Sequence, residues 1–297
     1  MNPLVPALAA VLALAPLAAP AQERTAGARE TEITWYGHAA FVVTTPGGTV
    51  LAIDPWLSNP RSPDKDAAQK LQRVDYILVT HGHADHVGDA IAIAKRTGAK
   101  LVSSIDLGRA LVRAGYPKEQ AGTETQGNVG GTLRTGDATV AMVPAVHSSN
   151  FTTAEGEQVA GGNPVGFVIR VQGGPTIYDT GDTDVTLDMK QIPERYGSVD
   201  VMLACIGDHF TMDPQGAALA ASYVKPGILV PMHFGTYPAL TGTPGELEAA
   251  LHGRTRVLVM QPGKPVTFPG ALLAPRGAAR ARRPAPPAPT ARSGRSR

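Results

Sequence analysis

The chain has one cysteine, Cys205, in 297 residues. No internal disulfide can form, so packing and bound metal are left to stabilise the fold. Aromatic side chains make up 5% of the sequence, too few for a stacking surface that takes single-stranded nucleic acid. The first 21 residues carry no charged side chain, and the last 27 (271–297) hold seven arginines and no Asp or Glu. The net charge of +2 therefore describes a tail. Between the two ends, 20 basic residues face 25 acidic ones, a net of −5, so the body offers no footprint for a polyanion and no specific nucleic-acid partner is expected. What is present is 43% hydrophobic residues against 18% charged, enough for a sizeable core, which excludes a wholly disordered chain.

The N-terminus runs Met-Asn-Pro-Leu into an Ala/Leu/Val stretch over residues 7–15, followed by Pro16 and Pro20. Residues 1–21 read as a secretory signal peptide, with Ala19-Pro20-Ala21 as a small-residue cleavage site before Gln22. A stable span needs about 20 apolar residues, and the prolines make this stretch a poor one. The expected location is secreted or periplasmic, with no membrane span after cleavage. Residues 271–297, rich in Ala, Pro and Arg, cannot bury enough apolar surface to offset chain entropy and read as a disordered tail.

Between the ends, residues 30–270 alternate short β-rich runs with helical patterns. Runs at 33–36, 40–44, 50–53, 76–80, 101–103, 131–133, 139–144, 166–171, 176–178, 199–204, 228–231 and 257–260 read as strands. Residues 87–97, 106–114 (capped by Asp106), 214–224 and 244–251 read as helices. Hairpins mixed with strand–helix units predict two mixed sheets between helices.

The most informative stretch is Thr80-His81-Gly82-His83-Ala84-Asp85-His86, which follows a buried strand and opens a helix. Four potential ligands in six positions are not a core pattern, because His and Asp are seldom buried unless paired or ligating. His81 and His83 could meet one ion, and Asp85 and His86 a second. His147, Asp182 and His233 each follow a strand, where α/β sheets place their sites. Five His and two Asp with no thiolate suit Zn²⁺, Mn²⁺, Ni²⁺ or Fe. Cys205 lies in an apolar strand, where a small buried hydrophobe is the expectation.

His-Gly-His-Ala-Asp-His resembles the signature of the metallo-β-lactamase superfamily. The strings Trp-Tyr-Gly-His (35–38), Ala-Val-His-Ser-Ser (145–149), Ile-Gly-Asp-His-Phe-Thr-Met (206–212) and Pro-Met-His-Phe-Gly-Thr-Tyr-Pro (231–238) are similar to those of its small metal-dependent hydrolases related to ascorbate-phosphate lactonase. The resemblance implies a four-layer αββα sandwich of two mixed sheets flanked by helices, in which 30–270 forms one hydrolase domain. It implies that His81, His83 and His147 hold one divalent ion and Asp85, His86 and His233 a second, with Asp182 bridging them. Zinc is the first expectation for both. Such a pair generates a hydroxide near neutral pH that attacks a small ester, lactone or phosphoester, an anionic one included. Asp85 would orient it; the sequence singles out no acid for the leaving group, and His38 and His209 are the candidates. Asp54, ahead of Pro55, would hydrogen-bond to a ligand or its loop. Asp179 and Asp208 are expected to be structural or to support the ligands. The alternatives are a secreted zinc β-lactamase, in which Cys205 would matter and Asp182 would be out of place, a nuclease, and a metal-dependent binding protein without activity.

Overall fold

In the computed structural model, residues 30–153 and 155–270 are described; the expected signal segment and the tail lie outside them. The first half runs β1 (Thr31–Trp35), β2 (Phe41–Thr44), β3 (Val50–Ile53), α1 (Ala67–Lys70), β4 (Tyr76–Leu78), α2 (Ala84–Val87), α3 (Ala90–Thr97), β5 (Lys100–Ser104), α4 (Ile105–Arg113) and β6 (Gln126–Gly127). The second half runs β7 (Thr132–Thr135), β8 (Ala138–Pro144), β9 (Asn150–Thr152), β10 (Gln158–Ala160), β11 (Val165–Val171), β12 (Thr176–Asp179), α5 (Gln191–Tyr196), β13 (Val201–Cys205), α6 (Pro214–Val224), β14 (Ile228–Met232), α7 (Pro244–Leu251), β15 (Arg256–Val257) and β16 (Pro265–Phe268). These strands build two mixed seven-stranded sheets, ordered β16-β1-β2-β3-β4-β5-β6 and β15-β14-β13-β12-β11-β8-β7, and β9 and β10 form a separate hairpin.

Period-two alternation makes the first sheet two-faced. Phe41, Val43, Leu51, Ile53, Leu78 and Val102 point into the core shared with the second sheet. Their neighbours Val42, Ala52, Ile77 and Leu101 point the other way, into a second core closed by α1, α3 and α4. The second sheet's strands continue the shared core out to Ala217, Ala220 and Leu247 on α6 and α7. The result is the expected sequence of helices, sheet, sheet and helices. Each fully buried Leu, Ile or Phe in these layers contributes roughly 1.5–3 kcal/mol.

Several element ends differ from the sequence reading, each for a local reason. The helix expected over 87–97 is two helices, broken at Gly88, where φ is +43° and a Cβ would collide with the Trp56 backbone. The cap of α4 is Ser104, whose hydroxyl accepts from Leu107 N, and Asp106 lies inside the first turn. The strand expected over 257–260 pairs only at Arg256–Val257, and β16, not anticipated, returns the chain to β1 with Thr31 opposite Phe268. By contrast, α6 and α7 begin at their prolines, capped by Asp213 and by a Thr243–Glu246 capping box.

Strand direction places the chemistry. In the first sheet β1, β3, β4 and β5 run parallel to one another, and in the second β8, β12, β13 and β14 do. His38, Asp54 and the 81–86 loop follow the C-terminal ends of β1, β3 and β4. His147, Asp182 and His233 follow those of β8, β12 and β14.

Candidate metal centre

Oδ2 of Asp182 has four imidazole nitrogens around it. His233 Nε2 lies at 3.0 Å, His86 Nε2 at 3.2 Å, His147 Nε2 at 3.6 Å and His81 Nε2 at 3.9 Å. Three donor sets converge within ligand spacing of one another: His81, His83 and His147; His38, Asp85, His86 and His233; and His81, His86 and Asp182. His81, His86, Asp182 and His233 are buried, while His83, Asp85 and His147 are half-buried on the open side.

The donors fit divalent ions. Among the described residues, His86 Nε2, both ring nitrogens of His233 and Asp182 Oδ1 are buried and make no hydrogen bond. A buried polar atom without a partner costs on the order of 1–3 kcal/mol, and His86 Nε2 and His233 Nε2 both face the Asp182 carboxylate instead of separate partners. Imidazole and carboxylate donors in this arrangement are the ligand set of Zn²⁺ and its neighbours.

The neighbouring side chains fix which nitrogen of each ring faces inward. Asp54 accepts from Thr80 N at 2.8 Å, from Thr80 Oγ1 at 2.7 Å and from His86 Nδ1 at 2.7 Å. His86 therefore carries its proton on Nδ1 and presents Nε2 to Asp182. Thr80 has spent its one hydroxyl proton on Asp54, so it accepts from His81 Nδ1 at 3.0 Å. His81 Nε2 is thereby left as a bare lone pair, 3.0 Å from His83 Nδ1. Ser148 Oγ lies 3.2 Å from His83 Nε2, and Ser149 Oγ accepts from Gly82 N at 3.1 Å, which ties the His81 loop to the strand end that carries His147.

His38 is fully buried. Its Nε2 donates to Asp85 Oδ2 at 3.0 Å, so Nδ1 accepts from Thr236 Oγ1 at 2.9 Å. Its carbonyl accepts from His233 N and from Trp35 Nε1, both at 3.0 Å, which joins the ends of β1 and β14. His38, Asp54 and His233 all have positive φ (52°, 41° and 56°), a conformation that costs a non-glycine residue on the order of 1 kcal/mol or more. At Gly207, two residues past β13, a Cβ would collide with the His233 carbonyl, so this position must be glycine for His233 to sit where it does.

Burial disfavours charge throughout, and the partners decide which groups keep it. Burial holds His38 down to about 4, although Asp85 pulls the other way. Burial and then the neighbouring His86 hold His81 well below its ordinary value, and burial also lowers His83 and His147. His86 is the exception: burial opposes its charge, but Asp182 and Asp54 outweigh burial and raise it well above the ordinary value. Burial likewise works against ionised Asp182 and Asp85. His233 and His86 nevertheless hold Asp182 well below the usual carboxylate range, and His38 does the same for Asp85. Burial and the charge of Asp54 push Asp179 well above that range.

His209 and Cys205, offered by the sequence as an acid and as a thiolate ligand, both lie outside these donor sets. His209 is exposed on the loop after β13 with its ring against Phe210. Cys205 is fully buried, its thiol pushed up to about 12 by burial and held between Thr180 Oγ1 and the Thr183 carbonyl, each at 3.6 Å. Sequence reasoning did not anticipate Thr236 and Tyr237, although both stand in the 231–238 string, nor Trp56. Trp56 and Tyr237 stack at 6.1 Å with 25° between their planes, and both rings meet His38 edge-on, at 5.4 and 5.8 Å. Burial and then the charge of Asp85 push the Tyr237 hydroxyl up.

Comparison with known proteins gives a consistent picture. Residues 49–234 match the model of the beta-lactamase superfamily domain. A UPF0173 metal-dependent hydrolase of Anaeromyxobacter dehalogenans (strain 2CP-C) is 70% identical over 80% of this chain and 87% of the relative. A second protein so named, from Thermodesulfovibrio yellowstonii, is 50% identical over 80% of this chain and 91% of its own. Among solved structures, Igni18, a metallo hydrolase from Ignicoccus hospitalis KIN4/I, superposes with a TM-score of 0.69. It is 34% identical, and the match covers 81% of this chain and 99% of that one.

Proposed function

The chain belongs to the metallo-β-lactamase superfamily and is a metal-dependent hydrolase, and from that premise we propose a dinuclear centre that hydrolyses a small ester, lactone or phosphoester. One observation carries the dinuclear reading: Asp182 Oδ2 stands between two donor sets and faces imidazoles of both. His81, His83 and His147 would hold one ion, and Asp85, His86 and His233 the other, with Asp182 shared. Zinc suits this set, and Mn²⁺, Ni²⁺ or Fe would use the same donors. Divalent ions held there supply Lewis acidity, which activates water as the nucleophile and neutralises charge developing on the substrate oxygen.

The side chains organise that chemistry. Asp85 sits half-exposed at the opening, with one carboxylate oxygen engaged by His38 and the other left to orient a proton of the attacking water. His38, neutral at working pH and out of reach of solvent, is a positioning residue for Asp85. The burial of Cys205 and its protonated thiol give no support to a thiolate-bearing zinc β-lactamase site. Metal analysis of the purified protein, coupled to a panel of lactones, phosphodiesters and nitrocefin, tests the reading. Two ions per chain with turnover of a lactone or phosphodiester is the expected result; one ion at saturation, or brisk nitrocefin hydrolysis alone, overturns it. Export through residues 1–21 belongs to the same proposal, and a mature protein that begins at Met1 would overturn that part.

A further inference from the structure

We infer that Trp56 and Tyr237 form an aromatic subsite that takes a flat, apolar group, such as an aryl ring, carried on the alkoxy side of the scissile bond of an ester or lactone. The inference rests on the hydrolase reading above and narrows its substrate. Trp56 is half-buried and Tyr237 is 39% exposed, yet neither belongs to either hydrophobic core. An aromatic pair outside the core is not accounted for by packing of the fold. Its place is set from several sides. Gly88 leaves room for the Trp56 backbone, Trp56 N donates to Asp54 O at 2.7 Å, and both rings abut His38, which is bonded to Asp85. The pair therefore stands beside the half-exposed carboxylate where water would react. Polar recognition there is sparse. Among the described residues, Asp85 and Asp182 have only imidazoles as ion-pair partners, and the guanidinium of Arg61 is occupied over Trp35 and Phe234. Beside the polar groups His83, Asp85 and His147, the opening offers a substrate the paired rings of Trp56 and Tyr237, and an offset or edge-on ring is what such area binds.

In the reaction the oxygen of water bonds to the carbonyl carbon and the acyl C–O bond breaks. One water proton goes to the leaving oxygen and the other to solvent, which gives the hydroxy carboxylate. The test uses zinc-loaded protein with γ-phenyl-γ-butyrolactone and unsubstituted γ-butyrolactone. The expected kcat/KM is about tenfold higher for the phenyl lactone, the size of one aromatic contact. Tyr237→Leu should bring the ratio near one at wild-type metal content, and Tyr237→Phe should keep it. The chain has two tryptophans, and Trp35 is buried, so the hydrolysed product 4-hydroxy-4-phenylbutyrate should quench emission from Trp56 in wild-type protein and not in Trp56→Leu. Equal turnover of both lactones, or a ratio that survives Tyr237→Leu, overturns the subsite and leaves the hydrolase standing. Quenching by the product with neither lactone hydrolysed overturns the ester reading and leaves the subsite standing. Neither quenching nor a preference overturns the subsite.

Discussion

Nδ1 of His86 lies 2.7 Å from Oδ2 of Asp54, and that contact sets the chemistry of a ligand through a residue that touches no substrate. The same carboxylate reaches His81 through the Thr80 hydroxyl, so Asp54 holds the Nδ1 proton of one imidazole from each proposed ligand set and turns its Nε2 to the centre. Asp54→Asn removes the charge and makes the amide compete as a donor. Metal affinity should fall on the order of 10–100-fold, the usual effect of losing an outer carboxylate on a ligand imidazole. Competition against a chromogenic chelator measures it, and unchanged affinity for both ions would show that the tautomers are set elsewhere.

Asp182 faces imidazoles of both proposed ligand sets. Asp182→Ala should lower the metal content below two ions per chain and abolish turnover, because four imidazole nitrogens lose the charge they surround. Elemental analysis and a turnover assay on the same sample check this together. Full metal content with intact activity would refute the assigned centre.

Much of this was legible in the sequence, for physical reasons. Four donors within His81–His86 have no packing explanation, and His147, Asp182 and His233 each stand one to three residues past a strand. The period-two runs marked most of both sheets. What escaped notice depends on distant partners. The break at Gly88 is imposed by the Trp56 backbone, 32 residues earlier, and β16 is a strand only because β1 needs an edge partner. Ser104 outcompetes Asp106 as a cap through geometry at the end of β5. Trp56 and Tyr237 look like ordinary core aromatics until the two sheets bring them together beside His38.

Removing the metal should make the fold acid-sensitive. An unfolded imidazole takes a proton near pH 6.5, whereas His38 in the fold takes one only at about 4, and burial holds His81, His83 and His147 low as well. Between those values the unfolded chain binds more protons, so unfolding free energy falls as the pH drops from about 6.5 to 4. His38 alone would account for on the order of 3 kcal/mol over that window. His86 acts in the opposite sense: its raised value adds stability below about 6.5 that is lost only as pH rises through its folded value. Asp179, also raised, acts with His86, but the four lowered imidazoles and the lowered carboxyls of Asp85 and Asp182 outweigh these two, so the urea midpoint of chelator-treated protein should drop between pH 7 and 4.5. A flat or rising midpoint would contradict the assigned directions.

Cys205 should be chemically silent and dispensable for metal. Its thiol, held at about 12 by burial, stays protonated in the fold at pH 8, so iodoacetamide should leave the native protein unmodified and alkylate one thiol once urea unfolds it. The same shift works against the fold in alkali. The unfolded thiol ionises near pH 8.5 while the folded one does not, so its contribution to stability declines as pH rises from about 8.5 towards 12. Cys205→Ala should cost roughly 1 kcal/mol as a small cavity in β13, with two ions per chain retained. A thiolate ligand predicts otherwise on both counts, alkylation of the metal-free native protein that zinc prevents, and loss of an ion in the alanine variant. Metal content after Cys205→Ala therefore decides between the carboxylate-bridged centre built on Asp182 and a zinc site completed by sulfur.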